Sequence, residues 1–158
     1  MTIKSKLIDF FIIFGIFILD RFSKIIILRL QNINEVNEII IASFLSLNLI
    51  WNEGIAFGLF SFEKKLYYNI LTIIIILITL IILWMITKTK GLEKISFMMI
   101  FGGSIGNIFD RIHYSAVPDF IDFHINNFHW FIFNVADIFI TLGVISLIII
   151  EITSKYKI

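Results

Sequence analysis

Long apolar runs separated by short polar connections make up most of the chain, and four of these runs predict membrane-spanning helices. The hydrocarbon core of a bilayer is about 30 Å thick, and about 20 mostly apolar helical residues cross it. The run from Leu66 to Thr87 contains no charged residue and is the clearest span. Asp137 is the single charge within the last run. The four predicted spans cover about residues 7–28, 66–87, 92–112 and 131–150.

The first apolar run has two interpretations. It follows Lys4 and Lys6, and a basic start before an apolar run is also typical of a cleaved signal peptide. A cleavage site of small residues does not follow, because the run continues directly into the charged string DRFSK at residues 20–24. We therefore expect this run to be a retained helix.

A different pattern fills the connection between the first two spans. Residues 38–50, EIIIASFLSLNLI, are rich in β-branched and apolar side chains, which predicts one or two strands. The expected fold is therefore an α-helical integral membrane protein with four transmembrane helices and a small β-rich extracytoplasmic part at about residues 29–65. Residues 1–158 are expected to form a single membrane domain.

Basic residues predict the orientation of the helices. With four spans, both termini and the connection between spans two and three lie on the same side of the membrane. Lysines cluster at these three places, and the positive-inside rule assigns that side to the cytoplasm. We therefore expect both termini in the cytoplasm and the more acidic connections outside. The clustered lysines are Lys4, Lys6, Lys88, Lys90, Lys94, Lys155 and Lys157.

The composition narrows the function classes. Hydrophobic residues make up 59% of the chain and charged residues 16%, compared with about 45–50% and about 25% in soluble domains. With a mean hydropathy of +0.98, the chain is neither an ordinary soluble domain nor a disordered one. A net charge of +1 provides no general attraction to nucleic acid. Because cysteine is absent, disulfides, thiolate metal sites and a cysteine nucleophile are excluded.

The predicted orientation places polar residues of three helices at one depth, near the outer ends of the spans. Ionisable residues at that depth are costly unless they face the bundle interior or a wet cavity, so they are candidates for function. Residues three or four positions apart share one helix face. The pairs with this spacing are Asp20 with Lys24, Asn107 with Arg111, and Asn134 with Asp137, and Asp110 lies at the same level.

Two carboxylates can meet at this depth. Pro118 keeps the preceding residue extended and ends any helix that continues from span three. Asp119 then lies on an extended segment at the membrane surface, from which it can approach Asp137. Two carboxyl groups a few Å apart do not both ionise readily, so one keeps a proton and the other can act as a base toward water. Two alternatives stay open: Asp137 as a buried charge paired with Lys24 or Arg111, and Asp119 as a solvated loop residue.

Three histidines, His113, His124 and His129, fall in the same outer connection. Together with Asp119 or Asp122 they offer nitrogen and oxygen ligands for zinc. Their spacing is not that of the helical HExxH motif. We therefore expect no metal site here.

Five short strings carry a resemblance to a known family. In chain order they are DRFSK at 20–24, NEGIAF at 52–57, GGSIGNIFDR at 102–111, VPDF at 117–120 and FNVAD at 133–137. All five fall on the outer side of the predicted spans. Over essentially its full length the sequence resembles the bacterial lipoprotein signal peptidases, also called signal peptidase II.

The resemblance implies an intramembrane aspartyl endopeptidase of the bacterial inner (cytoplasmic) membrane. Such an enzyme cuts diacylglyceryl-modified prolipoproteins just before the lipidated cysteine, among the membrane lipids and without a metal or organic cofactor; we expect a monomer. Asp119 and Asp137 take the positions of the catalytic pair. The supporting positions are Asp20, Lys24, Asn52, Gly54, Asn107, Arg111 and Asn134. Pro118 departs from the family pattern, in which an aliphatic residue more commonly precedes the first catalytic aspartate.

Two other function classes compete with the peptidase. A small proton-coupled transporter or channel is the main alternative, since intramembrane aspartates also form proton relays. A relay needs ionisable groups at several depths, whereas the acidic residues here cluster at one mouth of the bundle. A purely structural assembly subunit would leave the five strings unexplained.

Overall fold

The computed structural model describes residues 3–34, 38–54, 65–125 and 128–155, which form four helices and one four-stranded sheet. This architecture agrees with the helices and small sheet expected from the sequence. In chain order the elements are α1 (Ile3–Asn34), β1 (Glu38–Ala42), β2 (Leu45–Asn52), α2 (Lys65–Lys88), α3 (Gly91–Tyr114), β3 (Val117–Ile125), β4 (Phe128–Phe133) and α4 (Val135–Lys155).

Helix α3 is central and packs against each of the other three helices. Two ion pairs show that α1 and α3 run in the same direction. Asp9 accepts a bond of 2.5 Å from Lys94 near the start of both helices, and Asp110 accepts one of 2.5 Å from Arg21 further along both. The C-terminal ends of α1 and α3 therefore lie on the same side of the bundle.

Glycines allow the close approach of the helix backbones around α3. A Cβ atom built on Gly106 would lie 2.5 Å from Oδ2 of Asp20, on α1. A Cβ atom on Gly103 would lie 2.5 Å from the carbonyl oxygen of Ala136, on α4. Small residues bring helix backbones this close in membrane bundles. Both neighbouring helices thus reach α3 at the level of its polar residues.

Polar and small side chains are buried between the helices, whereas large apolar side chains cover the outside. Helix α3 buries Ser104 and Asn107, while Leu77 and Ile81 of α2 are more than half exposed. This arrangement is the reverse of a soluble fold and suits helices surrounded by lipid. Among the described helices, Leu66–Lys88 and Val135–Lys155 are long and apolar enough to cross a membrane. Helices α1 and α3 carry charged residues within their apolar runs.

The sheet is larger than the sequence predicts. Its strand order is β1-β2-β3-β4, with antiparallel pairing throughout. Only β1 and β2 come from the predicted extracytoplasmic segment at 29–65; the other two strands come from the connection before α4. Residues 29–34 of that segment extend α1 beyond the predicted span, and residues 35–37 and 55–64 lie outside the described residues. Helix α4 begins at Val135 instead of near 131, because 128–133 pair with β3.

A tight cap turns the chain from α3 into β3. Ser115 adopts a left-handed conformation with φ of 59°, and its N–H donates to the carbonyl of Arg111 at 3.2 Å. The helix therefore ends at Tyr114, before Pro118 could end it. Pro118 pairs with β2, and the register with β4 begins only at Ile121, so the missing proline N–H is not needed by β4.

We expect Gly103→Ala to destabilise the fold by about 1–3 kcal/mol, because its methyl group would collide with the backbone of α4. Gly15→Ala is the matched control, since a Cβ atom on Gly15 has nothing within 4 Å. That variant should be neutral or up to about 1 kcal/mol more stable, because alanine favours helix over glycine. Thermal unfolding in detergent compares the two, and equal effects would contradict the close α3–α4 approach.

Candidate active site

Strand β3 places Asp119 in the interior of the protein, where its side chain is 3% exposed. Each of its carboxyl oxygens accepts a hydrogen bond from an asparagine. Asn134 Nδ2 donates to Oδ1 at 2.6 Å, and Asn52 Nδ2 donates to Oδ2 at 2.8 Å. The alternative of a solvated loop residue is therefore wrong for Asp119.

Asp137 is held by the start of α4. Asn134 Oδ1 accepts the Asp137 N–H at 3.1 Å, and Asp137 Oδ2 accepts the Asn134 N–H at 3.3 Å. This reciprocal pair is a capping box, in which the residue before the helix and the third helical residue satisfy each other's backbone donors. The two residues were expected on one helix face; instead Asn134 precedes the helix and caps it. The cap fixes the Asp137 carboxyl at the positive end of the helix dipole.

Asn107 and Asn134 connect the two aspartates. Asn107 Nδ2 donates to Asp137 Oδ1 at 2.8 Å, and its Oδ1 accepts from Asn134 Nδ2 at 3.2 Å. The same Nδ2 of Asn134 also contacts Asp119. Both carboxyl groups line one cavity of about 220 Å³, together with Asn52, Asn107 and Arg111. The structure thus brings Asp119 and Asp137 to a common space.

Lys24 is a buried cation, 1% exposed, behind Asn107. Its ammonium group has three donors, and it reaches Asp110 at 2.6 Å, Asp20 at 3.0 Å and Asn107 Oδ1 at 3.0 Å. Because Oδ1 of Asn107 accepts from Lys24, the amide nitrogen of Asn107 must face Asp137. Lys24 therefore sets the orientation of the Asn107 side chain.

Arg21, which is partly buried, completes this group of charges. Its guanidinium donates two bonds to Asp110, at 2.5 and 2.7 Å, and one to Asp20 at 2.8 Å. Two cations and two carboxylates therefore balance each other where α1 meets α3. Asp20 also accepts the N–H of Ala136 at 3.1 Å, which satisfies a backbone donor in the first turn of α4.

Arg111 supports the other side of the site. It donates to the carbonyl of Gly54 at 2.8 Å, and the Gly54 N–H donates to Asn52 Oδ1 at 2.8 Å. Since Oδ1 of Asn52 is occupied by that N–H, its amide nitrogen faces Asp119. Every supporting residue expected from the sequence therefore belongs to one connected network.

The environment of Asp119 changes its acidity. Burial, together with the neighbouring charge of Asp137, raises the pKa of Asp119 to about 7, although the hydrogen bonds from Asn52 and Asn134 oppose the rise. A carboxyl group with such a pKa retains a proton near neutral pH. Two carboxyl groups at one cavity, one of them protonated, can activate a water molecule against a carbonyl group.

Some sequence expectations do not match this geometry. Among the described contacts, the hydrogen bonds of Asp137 go to Asn107 and Asn134, and no ion pair joins it to Lys24 or Arg111. The three histidines do not share one loop: His113 lies in the last turn of α3, whereas His124 and His129 lie on β3 and β4. None of the three lines the cavity of the two aspartates.

Arg21 was missed as a member of the site, and Asp110 was expected at the same depth but without a supporting role. Asp110 lies between two expected site positions, and Arg21 follows Asp20 directly. Charge balance was the available signal in the sequence. Asp20 can neutralise only one of the two cations Arg21 and Lys24, so a second carboxylate at the same depth is required. Counting Arg21 and Asp110 together with Asp20 and Lys24 gives a neutral set.

Comparisons with known proteins agree with one another. The family model described as "Signal peptidase (SPase) II" matches residues 12–153. A protein of Pelagibacter ubique named lipoprotein signal peptidase is 49% identical over 157 residues, covering 99% of this chain and 95% of its own length. One of Clostridium tetani with the same name is 40% identical over 139 residues, covering 87% of each. A solved bacterial membrane enzyme is also similar, with a TM-score of 0.77 and 29% identity over 94% of this chain and 89% of that chain.

Proposed function

The chain belongs to the signal peptidase II family and is an aspartic endopeptidase, and on this premise we propose that Asp119 and Asp137 are its catalytic pair. The substrates would be prolipoproteins that carry a diacylglyceryl group, cut just before the modified cysteine. The relatives are named peptidases, which gives the alternative of a proton-coupled transporter or channel no support.

One observation carries the proposal. Asp119, from a strand, and Asp137, from a helix start, line the same cavity and are joined through Asn134 and Asn107. Placing two carboxyl groups in one buried cavity costs free energy, so their presence there indicates a functional role. The raised pKa of Asp119 supports a shared proton in this pair.

In the mechanism we propose, the ionised member of the pair takes a proton from water while the protonated member donates to the scissile carbonyl oxygen. The water oxygen forms a bond to the carbonyl carbon and gives a tetrahedral intermediate. The C–N bond then breaks as the amine of the lipidated cysteine takes a proton from the pair. One hydroxyl of the intermediate returns a proton to the pair as it becomes the carbonyl group of the product, so the pair again holds one proton. Since proton transfer alone activates the water, this chemistry involves no metal or organic cofactor.

The remaining site residues hold the pair in place. Asn52 and Asn134 orient Asp119, and Asn107 orients Asp137. Behind them, the other members act through these asparagines, the start of α4 and the 52–54 turn; they are Asp20, Lys24, Gly54 and Arg111. Asp110 and Arg21 join this set because they neutralise it.

The cavity also suits a substrate with acyl chains. Ile75 of α2 and Ile140 of α4 line it beside the two aspartates. An apolar wall next to a polar reaction centre lets lipid tails stay in the bilayer while the peptide reaches the carboxyl groups. The two aspartates and the asparagines that hold them form one connected network within a single chain, so we propose that the enzyme acts as a monomer.

We also propose four spans in the bacterial inner membrane, with both termini in the cytoplasm and the sheet outside. The chain contains no cysteine, so single cysteines at Ser5, Thr89 and Ser154 can be labelled without background. They should react only with membrane-permeant reagents, because the basic residues around them predict a location on the cytoplasmic side. A cysteine at Ser43, in the β1–β2 turn, should react with an impermeant reagent. Outside labelling at any of the first three would contradict the topology.

Removing either carboxylate should stop catalysis. Asp119→Asn and Asp137→Asn should each lower cleavage of a lipidated prolipoprotein by at least about 10²-fold, because an amide cannot act as the base or share the proton. Glu38→Gln makes the same change at an exposed position on β1 and should retain activity. Substantial turnover by either aspartate variant, with normal folding, would show that the pair is misassigned.

The pH dependence tests the shared proton. Wild-type cleavage should fall as the pH rises through about 7, because the pair then loses its proton. Asn52→Ala removes a hydrogen bond that favours the ionised form of Asp119, which raises its pKa. The alkaline limb of kcat/KM against pH should therefore move to higher pH in this variant. Asn48→Ala on the same strand is the control, and an alkaline limb that moves to lower pH in Asn52→Ala would refute the explanation.

A further inference from the structure

The outer sheet holds a second group of ligand-type side chains, separate from the two catalytic positions. Asp122 and His124 lie two residues apart on β3, so an extended strand directs both toward the same face. His129 on β4 is the register partner of His124, and the two rings lie 5.1 Å apart. Nδ1 of His129 lies 2.8 Å from Oδ2 of Asp122. The β3–β4 register shifts between Asp122 and His124, and such bulges redirect side chains.

Polar atoms of this group lack hydrogen-bond partners within the part of the chain that the structure describes. They are Asp122 Oδ1 and His124 Nδ1, together with Oγ of Ser46, the register partner of Asp122 on β2. The side chains of Asp122 and Ser46 are fully buried. A buried carboxylate oxygen and a buried imidazole nitrogen without partners are destabilising, and a bound cation would satisfy both.

The sequence spacing predicted no metal site here, but the geometry of the group leads to a different inference: we propose that Asp122, His124 and His129 bind a divalent transition-metal ion of the zinc type. Two imidazole nitrogens and one carboxylate oxygen are ligands that zinc prefers, with water or Ser46 available for a fourth position. The three ligand atoms lie within 4.8 Å of one another. Tetrahedral zinc with bonds of about 2.0–2.1 Å places its ligands about 3.4 Å apart. The His129 side chain is 52% exposed, so its ring has room to turn. Such a turn shortens the spacing of the ligand atoms from within 4.8 Å to the spacing of about 3.4 Å around zinc.

This ion connects β3 to β4 and stands apart from the hydrolysis. Asp119 precedes Asp122 by three residues, about 10 Å along a strand, and odd spacing places the two on opposite faces. The ion instead fixes the register of the hairpin that leads from β3, which carries Asp119, to the cap of α4. Its role is to stabilise the outer sheet.

The test uses the full-length protein without an affinity tag, purified in detergent, treated with a chelator and dialysed. Zn²⁺ is then titrated by calorimetry, and Tm is measured with and without it. We expect one Zn²⁺ per chain and a higher Tm, because an ion that binds only the folded state stabilises it. His124→Ala and His129→Ala should each weaken binding by about tenfold or more, since even the loss of outer-shell partners costs about 10–100-fold.

His113→Ala is the matched control, because His113 lies on α3 and stacks on Phe109, away from the group. It should bind Zn²⁺ like the wild type. Asp122 is left unchanged in the test, because replacing its fully buried carboxylate would also disturb folding. Unchanged binding in both β-strand histidine variants, equal loss in His113→Ala, or no saturable binding would overturn the site. Cleavage measured after chelation keeps this outcome separate from the proposed function, which does not depend on the ion.

Discussion

The buried ammonium group of Lys24 is the constraint on which the rest of the site depends. A cation in the interior of a membrane bundle is costly unless it is paired and fully hydrogen-bonded. Its three donors are met by Asp20, Asp110 and Asn107, which ties α1 to α3. Arg21 then balances the second carboxylate. Removing one partner of such a group would leave an uncompensated charge, so these residues act as a unit.

The orientation of both aspartates follows from that unit. Lys24 occupies the acceptor atom of Asn107, so the donor of Asn107 is directed at Asp137, while Asp20 reaches the first turn of α4. On the opposite side, Arg111 and Gly54 do the same for Asn52 and Asp119. Amide side chains thus act as fixed connectors, each with one end occupied by a structural partner. Asp119 lies on a strand and Asp137 at a capped helix start. Both elements hold the carboxyl groups in fixed positions, as the proposed reaction requires.

Sequence reasoning predicted the parts of this protein that depend on local pattern. The apolar runs identified the helices, and depth along the helices identified the polar residues that the structure joins. The capping box was not predicted, although its pattern is present in the sequence as Asn134 followed three residues later by Asp137 before an apolar run. The β3–β4 hairpin was not predicted, because its strands are stabilised by pairing with β2, which is distant in sequence. The partners of Arg21 and the meeting of His124 with His129 depend on helix packing and strand register, which a single sequence does not specify.

In the proposed mechanism, Asp119 and Asp137 hold one proton between them at neutral pH. Infrared difference spectroscopy of the purified enzyme measures this directly, since a protonated carboxyl group and a carboxylate absorb at different frequencies. The spectra should show one carboxyl group that keeps its proton below about pH 7 and loses it as the pH rises further, and this signal should be missing from Asp119→Asn. If the wild type shows no carboxyl group protonated near neutral pH, or if its signal persists unchanged in Asp119→Asn, the shared-proton account is contradicted.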